Sequence, residues 1–163
     1  MKRLINVLLI CFFFILTASA QQDDTRGEKG VERLYKILSK NLRYPQKLYD
    51  NKSTSLFSVK YLISPENKLE DIIPSKYTPD GMKDKLMDKT LYGGIDWQSF
   101  FNRKIRQGDY IILPIALYRE NDNSTTIIEY TIDDLFNFSE KRTPIMNGVL
   151  LQPFIMKAGE TIN

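Results

Sequence analysis

The residues able to carry chemistry are few. The chain has no histidine, and its single cysteine, Cys11, lies inside an apolar N-terminal run, so no Ser-His-Asp triad, Cys-His dyad or histidine zinc site can be assembled. No serine stands three residues before a lysine in the spacing of Ser-Lys hydrolases. Acidic doublets occur at Asp23-Asp24, Glu70-Asp71 and Asp133-Asp134. Adjacent acids on a strand point to opposite faces, and an acid at a helix start acts as a cap, so none makes a convergent acid/base pair. Asn121, Asp122 and Asn123 lack the glycine and distal glutamate of a calcium loop, and Gly93-Gly94 follows a helix instead of opening one, which rules out a phosphate cradle. The reading is therefore not an enzyme, with no metal and no cofactor. Trp97, Phe100 and Phe101 near Arg103, Lys104 and Arg106 have the composition of a stacking surface for a glycan or a base. Large aromatics dominate core burial, however, and beneath a sheet they would simply fill the interior.

Compartment follows from the first 20 residues. Lys2 and Arg3, the apolar run Leu4 to Leu16 and the small residues Ala18, Ser19 and Ala20 have the three-part pattern of a secretory signal with cleavage before Gln21. The run is shorter than the ~20 residues that cross a bilayer as a helix. Ile10 also stands where a lipoprotein signal needs a small residue before its cysteine. The expected mature chain is exported, with the periplasm as its first compartment and the extracellular medium as the second. It has no membrane span and no cysteine, so its core must hold it without disulfides. Lys2 and Arg3 are two of 23 basic residues set against 20 acidic ones, which leaves the mature chain close to neutral. The two signs alternate along it, so nucleic acid is not an expected partner.

Periodicity supplies the elements. Residues 21–30 read as a polar lead-in, and Val31, Leu34, Tyr35, Leu38 and Leu42 then recur on one helical face up to Tyr44-Pro45. That stripe is the core face of a helix; a membrane-surface role would want a more basic polar face. Phe57, Val59, Tyr61 and Ile63 alternate with Ser58 and Lys60 as a half-buried strand. Ser64 to Lys68 form a turn with Asn67 at positive φ, and Leu69 to Ile73 return antiparallel until Pro74. Thr78 caps a second helix with Pro79 at its first position and Met82, Leu86 and Met87 on its apolar side. Asp109 to Arg119 is the most apolar stretch after the signal, and its Ile and Tyr content makes it a strand. Thr125 to Ile132 alternates as a further strand after a loop at Glu120 to Ser124, and Asn147-Gly148 has the composition of a hairpin turn. The expected fold class is α+β: two helices on an antiparallel sheet, in the order helix-strand-strand-helix-strand, extended by C-terminal hairpin strands.

Asn41-Leu42-Arg43-Tyr44-Pro45 after the first helix, and Trp97 about a dozen residues ahead of Leu113-Pro114-Ile115, give this order a second meaning. The stretch 31–119 resembles the TonB C-terminal domain in its Bacteroidetes-like form, with residues 120–163 as a β-rich extension packed on the same domain. The chain departs from that family at Asn67, where a glycine is usual, at the missing glycine before the first strand, and in showing neither a retained membrane helix nor a Pro-rich spacer. The resemblance implies a protein-binding module linked to envelope transport. Its last strand would offer an edge to a segment of an outer-membrane receptor through Tyr110, Ile112, Pro114, Ala116 and Tyr118, with Trp97, Tyr44 and Pro45 as further contact residues. The alternative is a self-contained envelope protein that kept the fold, lost receptor coupling and serves a structural or ligand-binding task. An added strand after Arg119 would cover that edge, as an edge so apolar requires, whereas Pro114 is a residue typical of open edges.

Overall fold

A computed structural model describes residues 24–51, 54–119, 135–138 and 147–158. The expected signal, the carboxylates Asp133 and Asp134, and the expected strand Thr125 to Ile132 lie outside them. The fold is α+β. Helix α1 (Asp24–Asn41) is followed by the short α2 (Gln46–Asp50), strands β1 (Ser55–Ile63) and β2 (Leu69–Pro74), helix α3 (Asp80–Met87), 3₁₀ turns at Lys89–Tyr92 and Trp97–Phe100, strand β3 (Asp109–Arg119), and strands β4 (Gly148–Leu150) and β5 (Phe154–Ala158).

Helix α1 starts at Asp24, seven residues ahead of Val31, so most of the expected lead-in is helical. Its buried line of Gly30, Leu34, Leu38 and Leu42 reaches back to Gly30, where a Cβ would stand 2.2 Å from Ser99 Oγ. Contact with the turn that carries Ser99 therefore extends the helix beyond its apolar period. At α3 the cap differs from expectation: Pro79 takes that position with extended geometry (ψ 132°), no side chain caps the helix, and the Thr78 hydroxyl is buried without a described partner. Met87 is half exposed.

The sheet order is β2-β1-β3-β4, with β5 beside the second half of β3. β1 runs antiparallel to both neighbours, and Asn67 turns the β1–β2 connection at φ 63°. The Asn67 side chain is also a brace: its amide donates to Asp96 Oδ1 (2.9 Å) and its carbonyl accepts from the Gln98 amide (2.7 Å). A glycine could turn the chain there but could not tie the turn to the Trp97 segment.

The sheet is mixed rather than wholly antiparallel, because β4 and β5 both lie parallel to β3. Parallel neighbours need a crossover of a dozen residues or more, and the stretch 120–147 is long enough to supply it. Gly148 is a strand residue with no positive φ at either Asn147 or Gly148, so this pair does not adopt the hairpin-turn geometry its composition favours.

One sheet face carries Phe57, Val59, Tyr61, Ile111, Leu113, Ile115 and Leu117, all fully buried beneath α1, α3 and the 3₁₀ turns. The other carries Ser58 and Lys60, which are buried as well, so β1 is covered on both sides and not half-buried. Residues 135–138 lie on that second face. Ser58 Oγ donates to the Leu135 carbonyl, the Lys76 amide donates to the Asn137 carbonyl (2.9 Å), and Lys60 Nζ sits 5.0 Å and 5.6 Å from the ring centres of Tyr110 and Phe138. Burial on both faces explains why β3 is nearly continuous in apolar residues where an open sheet would alternate.

Candidate functional site: the outer side of strand β3

Strand geometry sends successive peptide groups to opposite sides, so the contact made by one residue fixes the direction for its alternates. The Ile112 carbonyl accepts from the Leu151 amide (2.9 Å), and the Tyr110 amide reaches toward the Asn147 carbonyl (3.5 Å). The peptide groups of Tyr110, Ile112, Pro114, Ala116 and Tyr118 therefore face away from β1, toward the edge that the family resemblance implies. That edge is occupied by the chain itself: Tyr110 to Ile112 pair with β4, and Ile115 to Arg119 pair with β5.

Pro114 falls in the gap. It has no N–H, its nitrogen points outward, and opposite it the covering chain leaves strand geometry at Leu151 to Pro153. Pro153 of the covering chain lies in the same gap and also lacks a donor, so the missing N–H groups on both sides fit two short outer strands in place of a single long one. Pro114 is buried, so the property that marks it as an edge residue is its missing donor and not exposure.

Gly148 pairs directly with Tyr110, and a Cβ there would stand 2.1 Å from the Tyr110 ring, so β4 approaches at this point only because it begins with glycine. Phe154 anchors β5 on the core face by packing on Tyr35, with ring centres 5.5 Å apart, while the Tyr35 hydroxyl donates to the Gln152 carbonyl. On the opposite face Leu150 and Ile155 are 60% and 57% exposed. By register Leu150 stands beside Ile112 and Ile155 beside Ala116, and Lys157 lies over the half-exposed Tyr118 ring at 5.7 Å. Leu150 and Ile155 are the apolar residues the sequence reasoning missed. Their alternation with Leu151, Phe154 and Met156 was readable, but which side met solvent depended on the long-range pairing with β3.

Trp97 is elsewhere. It is 2% exposed, stacked on Phe100 (5.8 Å) and tilted against Tyr61 (5.6 Å), and Tyr92 completes the cluster. The Tyr61 hydroxyl donates to that of Tyr92, which donates to the Leu86 carbonyl. Burial pushes the Tyr92 hydroxyl up to about 12 and that of Tyr61 well above its ordinary value, so both stay neutral. This cluster is interior packing. Tyr44 and Pro45 are partly buried beyond the end of α1, with Tyr44 packed on the core margin.

The strongest ion pair closes the loop before β3. Asp109 is buried and accepts two bonds from the Arg103 guanidinium (2.7 and 2.8 Å) and one from the Arg106 amide (2.8 Å). The Arg103 bonds above all, with the Arg106 amide, hold the carboxyl below its usual range against the opposing effect of burial. Both carboxylate oxygens are engaged, Oδ1 by one bond and Oδ2 by two, so the group ties the Arg103–Arg106 loop to the start of β3. Among the described residues no three His, Cys, Asp or Glu side chains gather into a metal site, and no helix is long and apolar enough to cross a membrane. No family model, no curated protein and no solved structure matches the chain.

Proposed function

We propose that this protein is an exported, non-enzymatic protein-binding module that resembles the TonB C-terminal domain and meets its partner along the margin formed by β4 and β5. One observation carries the reading: Leu150 and Ile155 present their apolar side chains to solvent on one face of the sheet margin, Leu150 beside Ile112 and Ile155 beside Ala116 with Tyr118 next along that face of β3. Exposed aliphatic side chains grouped with an aromatic ring are the usual core of a contact surface, whereas scattered single ones carry no such meaning. A partner strand laid along β4 and β5 would gain main-chain bonds and place its own side chains on this patch.

The test is photo-crosslinking in envelope extract from Tyr118 and Lys157, comparing the native chain with the Leu150→Lys/Ile155→Lys double variant. The expected result is a defined envelope protein crosslinked by the native chain and lost in the variant. Equal crosslinking by both, or none by either, overturns the reading.

A second reading draws support from the pairing of β3 with β4 and β5: a self-contained envelope protein whose receptor-type edge is filled by its own C-terminal segment. A chain ended at Arg119 exposes that edge. Capture of an outer-membrane receptor by the shortened chain alone, with its fold confirmed by near-ultraviolet circular dichroism, selects this second reading.

A further inference from the structure

The chain contains one Asn-Gly pair, Asn147-Gly148, and the fold places it where β4 begins, with both residues exposed. The ladder fixes the direction of the Gly148 N–H. The Asn147 carbonyl faces the Tyr110 amide, and the Leu151 amide donates to the Ile112 carbonyl, so residues 147, 149 and 151 turn their peptide groups toward β3. Gly148 therefore turns its own N–H away from β3, toward solvent. A Cβ at Gly148 would stand 2.1 Å from the Tyr110 ring, so the packing that admits β4 also leaves the nitrogen after Asn147 with no side chain beside it. Asparagines elsewhere in the described residues lack this combination. Asn41 Nδ2 donates to the Ile37 carbonyl, and Asn67 is held by Asp96 and the Gln98 amide. Asn102 is exposed like Asn147, but the residue after it is Arg103.

We propose that Asn147 is a site of spontaneous deamidation and that its product loosens β4 from β3. The Gly148 nitrogen gives up its proton to solvent and attacks Asn147 Cγ. A bond from that nitrogen to Cγ forms, the bond from Cγ to Nδ2 breaks, and ammonia leaves with a proton returned from solvent, which closes a cyclic succinimide. Water then opens the ring at either carbonyl. Water is the only co-reactant, and nothing is oxidised or reduced. Opening at the Asn147 side-chain carbonyl gives aspartate; opening at its main-chain carbonyl gives isoaspartate, whose main chain runs through Cβ and Cγ. The chain is then longer by one carbon, and the carbonyl that faced the Tyr110 amide has become a charged carboxylate. β4 pairs over only three residues, Gly148 to Leu150, so an extra backbone atom at its first step shifts the whole strand. The outward peptide groups of Tyr110 and Ile112 then lose their cover.

The experiment ages the purified protein at mildly alkaline pH and follows its tryptic peptides by mass spectrometry. Thr143 to Lys157 is one such peptide and has Asn147 as its single asparagine. Isoaspartate in it is scored by methyl transfer from a protein isoaspartyl methyltransferase. Asn147 should convert at least about tenfold faster than Asn102, which shares its exposure without the following glycine. The rate should rise with pH, because the attacking nitrogen must first lose its proton. Asn147→Gln, whose extra methylene disfavours ring closure, should stay intact. In the aged native protein the Ile112 amide should exchange hydrogen at least about tenfold faster than in fresh protein, while β1 amides and aged Asn147→Gln keep their protection. Conversion no faster than at Asn102 overturns the proposal. So does full conversion with Ile112 still protected. Equal loosening in fresh Asn147→Asp, which adds the charge without lengthening the main chain, overturns it as well.

Discussion

Strand β3 belongs to two unlike halves of one sheet. Toward β1 it is paired over nine consecutive residues, Ser55 to Ile63 against Leu117 to Asp109, with both faces covered. Away from β1 it is paired over three residues and then five, with a break at Pro114 between them. The inner half is held by interdigitated side chains: Tyr61, Tyr92, Trp97 and Phe100 pack beneath it, and Leu113, Ile115 and Leu117 are fully buried. The outer half relies on a few anchors, chiefly Leu151, Phe154 and Met156, and leaves Leu150 and Ile155 in solvent. Main-chain pairing is present on both sides, so the contrast teaches that side-chain packing sets where stability resides and where the fold can open locally.

The most severe way to break this comparison is inside the aromatic cluster. Trp97→Ala removes a side chain that is 2% exposed and leaves a void between Tyr61 and Phe100, at an expected cost of about 4 kcal/mol. Urea denaturation followed by far-ultraviolet circular dichroism should show a single transition at a much lower midpoint. A loss under about 1 kcal/mol would mean that the inner half does not carry the stability assigned to it.

The Asp109 pair comes next. Asp109→Ala leaves the Arg103 guanidinium without its partner at the mouth of β3. Because Arg103 is partly in water, the expected loss is about 2 kcal/mol, below that for a fully buried pair. The carboxyl is held below its unfolded value, so its contribution is fully present above that value, near pH 4, and disappears as pH falls through the lower folded value. Native protein should therefore lose stability on acidification below about pH 4 more steeply than Asp109→Asn. Parallel acid-unfolding curves for the two would remove Asp109 from this account.

The inner half was largely legible in the sequence because its signals are local. The alternation of Phe57 to Ile63, the need for positive φ at Asn67 and the apolar density of Asp109 to Arg119 each constrain residues close in the chain. What escaped was set by distant partners. The burial of Lys60 depends on Tyr110 and on Phe138, 78 positions further along the chain, and the parallel course of β4 and β5 depends on a crossover that no periodicity announces. Asn147-Gly148 misled for the same reason: its intrinsic preference for a turn yields to the direct pairing of Gly148 with Tyr110. The sequence reading took Tyr110, Ile112, Pro114, Ala116 and Tyr118 together only on the strength of a family resemblance. That their peptide groups are already satisfied within the chain followed only from where residues 148–158 return.

The finest discrimination between the halves comes from Gly148→Ala. The new Cβ would stand 2.1 to 2.8 Å from three atoms of the Tyr110 ring. That ring is 5% exposed and lies under Lys60 Nζ, so it has little room to swing aside. In a tightly packed core such overpacking costs about 1–3 kcal/mol. At the margin the chain has another way out, because β4 pairs over only three residues and can lift from β3 while Phe154 still anchors β5. The expected global loss is therefore at the low end, about 1 kcal/mol. The local effect should be larger: the outward amides of Tyr110 and Ile112 should exchange hydrogen faster, while β1 amides from Phe57 to Tyr61 keep their protection. Equal acceleration on both sides of β3 would mean that the margin and the inner sheet open as one unit. A partner strand would then have to unfold the inner sheet to displace β4, and the exposed side chains of Leu150 and Ile155 would be its remaining point of approach.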